Sequence, residues 1–581
     1  MIATLLGTLA VAIAFVGIGR LAERIVPTGA PDLVAPTAWL IAGWSLASFA
    51  AALCAAMGIQ LLWPAIGLGV IGIAGYLVPQ PQRPLLWLGI GWLMVAPLVL
   101  IASTIPPTMF DEFAHWLPNT RFLVEHGQFP DIVSPNVWSF KPSYPPAIPI
   151  VGYGVHGLTG RGSEIAAKIF SVLLAASFGL VLAECVSRRL GVAIALAIGV
   201  AFATVINPFF DPRTALTAYA DTPTGFVLGY LIFVCWRDLD EPNARGVWRA
   251  VSAAVLLVLL RETNIVLVAG VAIGLALTNR RGRVLGAMAI AAAIGAFLLW
   301  RGYVISAAMP PAMMPRALAE WRWDAPWLVV RSLIVDRLAN NPLLGGAAFG
   351  LLMLAAAAFV LHRRIFQPLR HLLLLAGTAA AVWTAFLLWS YIAVFNDDEI
   401  ARAASAWRYM SQLGPTLILV CFGIVAAAIG EKSIAPRARS AFSAKNVVVV
   451  LACMIPGGLV LATRAHWQIQ SQYPGTRAIH EIATALKPII GDEPLDVVHP
   501  VDAPGFAIEI DYDLHRPVGA SVPFQTIDQA GRKGYLLDAK DVESARCPRL
   551  MRWTEKGWGE VAAAPLLRAC TGRNAAARSA N

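Results

Sequence analysis

The sequence predicts a polytopic α-helical membrane protein of about 12–14 membrane helices, ending in a small extracytoplasmic α/β domain. Three observations predict it. The 581 residues are 58% hydrophobic and 14% charged, where a soluble chain carries about 25% charged residues. Apolar stretches of spanning length recur from Ile2 onward, and mean hydropathy is +0.66. From Arg464 the composition turns polar and stays so. The net charge of +10 falls mostly in short loops between spans. That is the positive-inside pattern, not a nucleic-acid footprint.

A span needs roughly 20 apolar residues. Stretches that meet this lie at 2–19, 36–57, 60–79 and 85–105, and a polar loop, 106–165, follows. Further spans lie at 166–186, 190–206 and 219–236, then near 284–304, 342–362, 371–394, 413–430 and 446–463. The first stretch lacks a basic n-region and a small-residue cleavage site, so it is expected to be retained. The apolar stretch 248–278 is cut by Arg261-Glu262-Thr263-Asn264. Each half is short for a crossing, so it reads as a helical hairpin or a broken span. Three parts follow: additional N-terminal membrane helices over 1–84, a membrane core over 85–463, and a terminal domain over 464–581.

Orientation comes from the basic loops. Arg188-Arg189, Arg237/Arg245/Arg249, Arg280-Arg281/Arg283, Arg363-Arg364/Arg370 and Lys432/Arg437/Arg439/Lys445 share one side if 248–278 goes in and returns. That side is then cytoplasmic. Loops 106–165, 207–218, 304–341, 395–412 and the tail share the other, with Asp111, Glu112, Asp211, Glu320, Asp324, Asp397, Asp398 and Glu399.

In the tail, Thr476–Ile490 has helical spacing, and Leu495–Val498, Ala507–Ile510 and Tyr535–Leu537 read as strands. Of the seven cysteines, Cys547 and Cys570 lie in this polar segment, where pairing is open outside the cytoplasm. The other five sit in or at the ends of spans and read as packing residues. No P-loop, dinucleotide glycine motif or internal repeat is present, so ATP-driven transport has no support.

Chemistry concentrates in Phe110–Pro130, FDEFAHWLPNTRFLVEHGQFP. Acids at a membrane boundary are costly and more often functional than decorative. His115 shares a helical face with Asp111 at i, i+4, and Ala114–His126 is amphipathic, as an interfacial helix would be. A carboxylate at this depth suits a general base, because partial desolvation raises its pKa. The bland reading is a hydrated span end.

These residues resemble the GT-C superfamily of polyprenyl-phosphate-sugar-dependent glycosyltransferases, which includes lipid A aminoarabinose transferases and protein O-mannosyltransferases. The family's first outer loop opens D-E-x-x-[YH], passes a G-x-[FY]-P step and carries K-P-P. Here it reads Asp111-Glu112-Phe-Ala-His115, Gly127-Gln-Phe-Pro130 and Lys141-Pro142-Ser-Tyr-Pro145-Pro146, the last departing from an uninterrupted K-P-P. Tyr219-Ala-Asp221-Thr-Pro223 matches the family's aromatic-Asp-x-Pro step, and Trp407-Arg408-Tyr409 through Pro415 matches its late R-Y…P. The resemblance covers about 85–430, in order.

The resemblance implies an inverting glycosyltransferase. It would move a sugar from a polyprenyl-phosphate donor to a cell-envelope acceptor (glycan, glycolipid or lipid A-type) on the outer, periplasmic face of a bacterial cytoplasmic membrane. Asp111 would be the base, and Glu112 would support it or bind acceptor. Lys141 and Arg408 would hold the lipid-linked phosphate, and Asp221 would orient acceptor or sugar. His115 and Tyr409 are expected to contact substrate. No cofactor or metal is expected, the acidic run Asp397-Asp398-Glu399 reading as a hydrated loop. Other readings stay open. Lys141 is compatible with an interfacial snorkelling lysine, Asp221 with a helix cap, Arg408 with pairing to Asp397, Asp398 or Glu399, and Arg261 with pairing to Glu262. At the level of function, a transporter or flippase of lipid-linked sugars and an O-antigen-ligase-like enzyme are the alternatives.

Overall fold

The structure is a computed structural model. It describes residues 1–26, 32–77, 83–105, 107, 109–207, 209, 215–239, 243–336, 369–428, 474–498, 506–517, 520–524, 534–539, 548–554 and 557–561. The expected spans at 342–362 and 446–463, Asp211 and the Cys547–Cys570 pair lie outside these residues. Among those described, six helices are long and apolar enough to cross a membrane. A bent pair makes a seventh, and shorter apolar helices fill between them. The chain is a multi-pass helical membrane protein with a small terminal sheet domain.

The first three helices, α1 (Ile2–Ile25), α2 (Ala35–Met57) and α3 (Leu62–Leu77), pack through glycine. A Cβ on Gly43 would stand 1.8 Å from the Phe15 carbonyl oxygen, and one on Gly17 1.9 Å from that of Gly72. Small residues let backbones close up where lipid tails offer no competing hydrophobic drive. Trp39, Trp44 and Val11 share one buried cluster with Phe170 and Tyr230, so these helices belong to the main core. The outward side of α3 (Trp63, Ile66, Val70, Ile73) is exposed and suits lipid. At the far end of α1, Glu23 and Asp32 meet three arginines. Arg249 spans both, at 2.9 Å and 3.0 Å, and Arg237 and Arg245 join at 2.7 Å and 2.9 Å. A buried charge needs such partners.

The next span is split into α4 (Arg83–Met94) and α5 (Ala96–Ala102), which meet at 55°. Pro97 lies in the first turn of α5, where it lacks the N–H that would continue the ladder. A π-helical turn, Glu112–Trp116, leads into α6 (Leu117–His126). Gly127 then closes α6 at φ +67°, a left-handed cap that suits glycine. The last part of the expected polar loop is a helix, α7 (Ala147–Thr159), followed by the central helix α8 (Ser163–Leu190), whose apolar stretch is buried throughout. After them come α9 (Val192–Ala203), α10 (Asp221–Arg237) and α11 (Ala244–Leu260).

The interrupted stretch goes in and returns: a Cβ on Gly282, just past its second helix, would stand 3.0 Å from Leu239, next to Asp238, which a Cβ on Gly246 in its first helix would meet. Arg249, in α11, shares Asp32 with Arg237, while Arg261 at the end of α11 reaches Asp221 at the start of α10. The two helices are therefore antiparallel. Arg261 is extended, Glu262–Asn264 is a single 3-10 turn, and α12 (Ile265–Ala276) leads away. The Asn264 amide donates to the Leu257 carbonyl and to Thr224 Oγ1, both at 2.9 Å, and so ties the break to α11 and α10. The arginine does not pair with Glu262, as one sequence reading allowed. Glu262 is 3.7 Å from Arg301 instead. The membrane part continues through α13 (Arg280–Ser306), α14 (Ala325–Arg331), α15 (Arg370–Ala393), α16 (Asp397–Ala401), α17 (Ala406–Ser411) and α18 (Gly414–Ala428).

The terminal domain has a helix, α19 (Pro474–Ile490), and a five-stranded sheet of order β2-β1-β3-β4-β5. β1 (Leu495–Val498) pairs in parallel with β2 (Val522–Phe524) and β3 (Tyr535–Asp538), then β4 (Arg549–Thr554) and β5 (Gly557–Glu560) run antiparallel. The strand expected at Ala507–Ile510 is part of a helix, α20 (Phe506–Asp513). Phe506, Ala507, Ile510 and Leu514 enter the domain core together. Their spacing fits one helical face, a period that the short alternation in the sequence hid.

Candidate active site

Five of the expected residues converge. Asp111 Oδ2 stands 2.7 Å from Arg408 Nη1, and Arg408 Nε lies 3.6 Å from Asp221 Oδ2. Arg408 and Arg261 both donate to the Tyr409 hydroxyl, at 3.3 Å and 3.2 Å. His115 Nε2 is 3.9 Å from Asp111 Oδ1. Arg261, which the sequence reading left out of the site, contributes a second guanidinium 3.5 Å from Asp221 Oδ1. Its signal was an arginine in an apolar stretch, which needs a partner or a polar cavity.

Neighbouring backbone fixes the acid pair. The Asp111 N–H donates to the Tyr219 hydroxyl at 3.2 Å, and the Tyr219 ring faces the Arg408 guanidinium at 4.6 Å. Glu112 points the other way. Its carboxylate accepts from the Ala218 and Met109 N–H groups and lies 3.4 Å from Lys168 Nζ, both side chains fully buried. The two adjacent acids thus have different surroundings: Asp111 faces the arginines, and Glu112 ties the π-turn to α8. Asp221 is the first residue of α10 and not its cap. Its carboxylate accepts from Gln412 Nε2 as well as facing the arginines. Asp397 pairs with Arg316 and Arg322, at 3.2 Å each, and leaves Arg408 to the cluster.

Lys141 is placed by its own loop. Asn119 donates to the Lys141 carbonyl at 3.0 Å, Asn136 donates to Asn119, and the Lys141 N–H donates to Ser139. Trp300 and Tyr303 of α13 hold the same loop through the Ser143 and Pro130 carbonyls, at 2.8 Å and 2.6 Å. The ammonium is half-buried. Burial is the main push on its pKa, aided by Arg261 and opposed by Glu399, and the result lies below the ordinary lysine value. Burial pushes the Asp111 carboxyl up, but Arg408 and His115 outweigh it and hold the group below the usual carboxylate range. His115 is pushed down by burial, against the pull of Asp111, and so is neutral near pH 7.

Arg261, Arg408 and Lys141 set three cations against Asp111 and Asp221, a balance that suits an anionic ligand. Half-exposed Phe110 and Phe140 flank the His115 ring. They form an apolar, half-exposed rim beside His115. Among the described residues no group of three His, Cys, Asp or Glu side chains forms a metal-site arrangement.

No family model matches the chain, and no curated protein matches it. Among solved structures, ArnT from Cupriavidus metallidurans bound to undecaprenyl phosphate superposes with a TM-score of 0.46 at 14% identity, over 80% of this chain and 94% of that one. The apo form of the same protein gives 0.44 at 16%, over 78% and 93%. An oligosaccharyltransferase from Archaeoglobus fulgidus, tethered to an acceptor peptide, gives 0.38 at 12%, over 81% and 73%. All have the GT-C fold. The functional reading rests on the residues of the site.

Proposed function

We propose that this protein is a glycosyltransferase that moves a sugar from a polyprenyl-phosphate donor to a cell-envelope acceptor, on the outer face of the cytoplasmic membrane. The observation that carries the reading is the Asp111–Arg408–Asp221–Arg261 cluster. It sets a carboxylate beside two guanidiniums at the end of the membrane helices, with Lys141 held on the adjoining loop. A base and a phosphate-binding group within one cluster are what displacement of a lipid phosphate requires.

In this mechanism Asp111 takes the proton of an acceptor hydroxyl. The acceptor oxygen bonds to the anomeric carbon, and the bond from that carbon to the phosphate oxygen breaks. The lipid phosphate leaves with the electron pair, and the configuration inverts in a single displacement. Arg408, Arg261 and Lys141 stabilise the charge that grows on the phosphate. Asp221 keeps the guanidiniums in place, and the Phe110 and Phe140 rim suits an isoprenoid chain. Engagement of Arg408 by the phosphate would loosen its hold on Asp111. The carboxyl pKa then rises toward a value useful to a base, just when the donor is present. Glu112 supports Asp111 through the fold, and His115, neutral, is available to orient a hydroxyl.

The test is transfer from a radiolabelled polyprenyl-phosphate sugar in membranes containing the protein or its Asp111→Asn variant. Loss of transfer in the variant is expected. Full transfer by the variant would remove Asp111 as base, and movement of labelled lipid across the bilayer without consumption would favour a flippase.

A further inference from the structure

We infer that Tyr512 is a positioning residue that couples the terminal domain to the π-turn carrying the Asp111 site. For its catalytic consequence this rests on the transferase reading above. Helix α20 has two working faces. Phe506, Ala507, Ile510 and Leu514 enter the core of the terminal domain. Ile508 and Tyr512, one turn apart on another face, pack into the core of the membrane part. Tyr512 is 4% exposed although its element belongs to the terminal domain.

Three residues hold it. The Tyr512 carbonyl accepts from Arg121 Nη1 at 2.7 Å, and the Arg121 guanidinium lies 3.9 Å over the Tyr512 ring. The hydroxyl donates to Glu164 Oε1, and Arg121 Nη2 pairs with the same oxygen at 2.9 Å. The ring meets the edge of Phe113 at 5.3 Å. His515 approaches Glu125 at 4.0 Å beside it. These partners come from α6, the start of α8 and the π-turn.

Phe113 makes the contact more than adhesion. It lies in the Glu112–Trp116 π-turn, between the buried Glu112 and the site residue His115. A π-turn is wide, and such turns are uncommon outside functional sites. Here one flank is tied by Glu112 to Lys168, and the other is backed by Tyr512. Removal of the ring leaves Phe113 facing a void, and the turn relaxes. Asp111 then loses its register on Arg408, while Arg261, held at the end of α11 beside Asp221, stays in place.

The test uses the full-length protein in nanodiscs, with hydrogen exchange and steady-state kinetics on the same samples. In Tyr512→Ala, amides of 110–123 are expected to exchange about tenfold faster, with the middle of α8 unchanged. Turnover should fall about tenfold with donor KM within about twofold, because misplacement of a reacting group acts on kcat. Tyr512→Phe, which keeps the ring and the carbonyl, should restore exchange and most of the rate. Unchanged exchange over 110–123 overturns the coupling. Equal loss of protection across α8 and α9 also overturns it, because that is general destabilisation. If Tyr512→Ala does not fold, Arg121→Gln, which removes the cation and carbonyl contacts from the membrane side, is expected to raise exchange in the same window. Unchanged exchange there overturns the proposal equally. Faster exchange in that window, with no sugar transfer by the wild-type protein, would support the coupling and reject the transferase reading instead.

Discussion

Asp111 Oδ2 and Arg408 Nη1 lie 2.7 Å apart, joining the π-turn at one end of the membrane helices to the short helix α17. Each is also tied elsewhere: Asp111 by its N–H to the Tyr219 hydroxyl, Arg408 by its side chain to Tyr409. The fold's own contacts therefore hold the pair.

Asp111→Asn keeps the shape and removes the base. Turnover should fall by about 10²-fold or more, the usual contribution of a general base. Donor KM should change little. Single-turnover transfer with a labelled donor separates the two, and a rate within threefold of wild type, on the order of 1 kcal/mol, excludes the role.

Acid sensitivity follows from the same pair. Asp111 is held below the ordinary carboxylate range, because Arg408 and His115 more than offset its burial. Its charged form therefore persists as pH falls, until the depressed pKa is reached, and the acid limb of kcat/KM for the free enzyme should lie low. Arg408→Gln leaves burial unopposed by its largest counterweight, so the limb should move to higher pH. A limb that stays in place, or moves down, contradicts the assignment.

Lys141→Ala and Arg261→Ala should each weaken donor binding. Charge-assisted contacts contribute about 1.5–3 kcal/mol, or roughly ten- to hundredfold in KM. Binding of the lipid phosphate alone, followed by tryptophan fluorescence, checks this without turnover. An unaltered affinity in both variants would rule out the anion site.

Glu112 and Lys168 are predicted to serve the fold. Breaking this fully buried pair with Glu112→Ala should cost about 3–5 kcal/mol, because the buried ammonium loses its carboxylate. Glu112→Gln combined with Lys168→Met should cost less than Glu112→Ala alone. Thermal unfolding in detergent gives the comparison, and a single variant as stable as wild type falsifies it.

Gly43→Ala should loosen the N-terminal helices. Its Cβ would meet the Phe15 carbonyl oxygen at 1.8 Å, so α1 and α2 must part. Overpacking of this kind costs about 1–3 kcal/mol or more. Thiol labelling of buried Cys54 reads the opening, and no change in labelling speaks against close packing there.

The sequence by itself determined the membrane class, the position of most helices and the break at Arg261. Periodicity and apolar length are local, and they survive whatever the chain packs against. It also singled out Asp111, an acid costly at a span end, and, through the resemblance to family motifs, Asp221, Arg408 and Tyr409. Only the tertiary structure decided the partners. Whether Arg261 met Glu262 or Asp221 depended on the return of α11 alongside α10. The divergence of Glu112 from Asp111 depended on Lys168, a lysine of the α8 span whose partner the sequence does not name. The helical state of Ala507–Ile510 was set by two cores that take opposite faces of α20, and a short alternating string cannot report a second core. Burial and ion pairing join residues far apart in the chain, so the electrostatics of Asp111 came from the packing of helices and not from its neighbours in sequence.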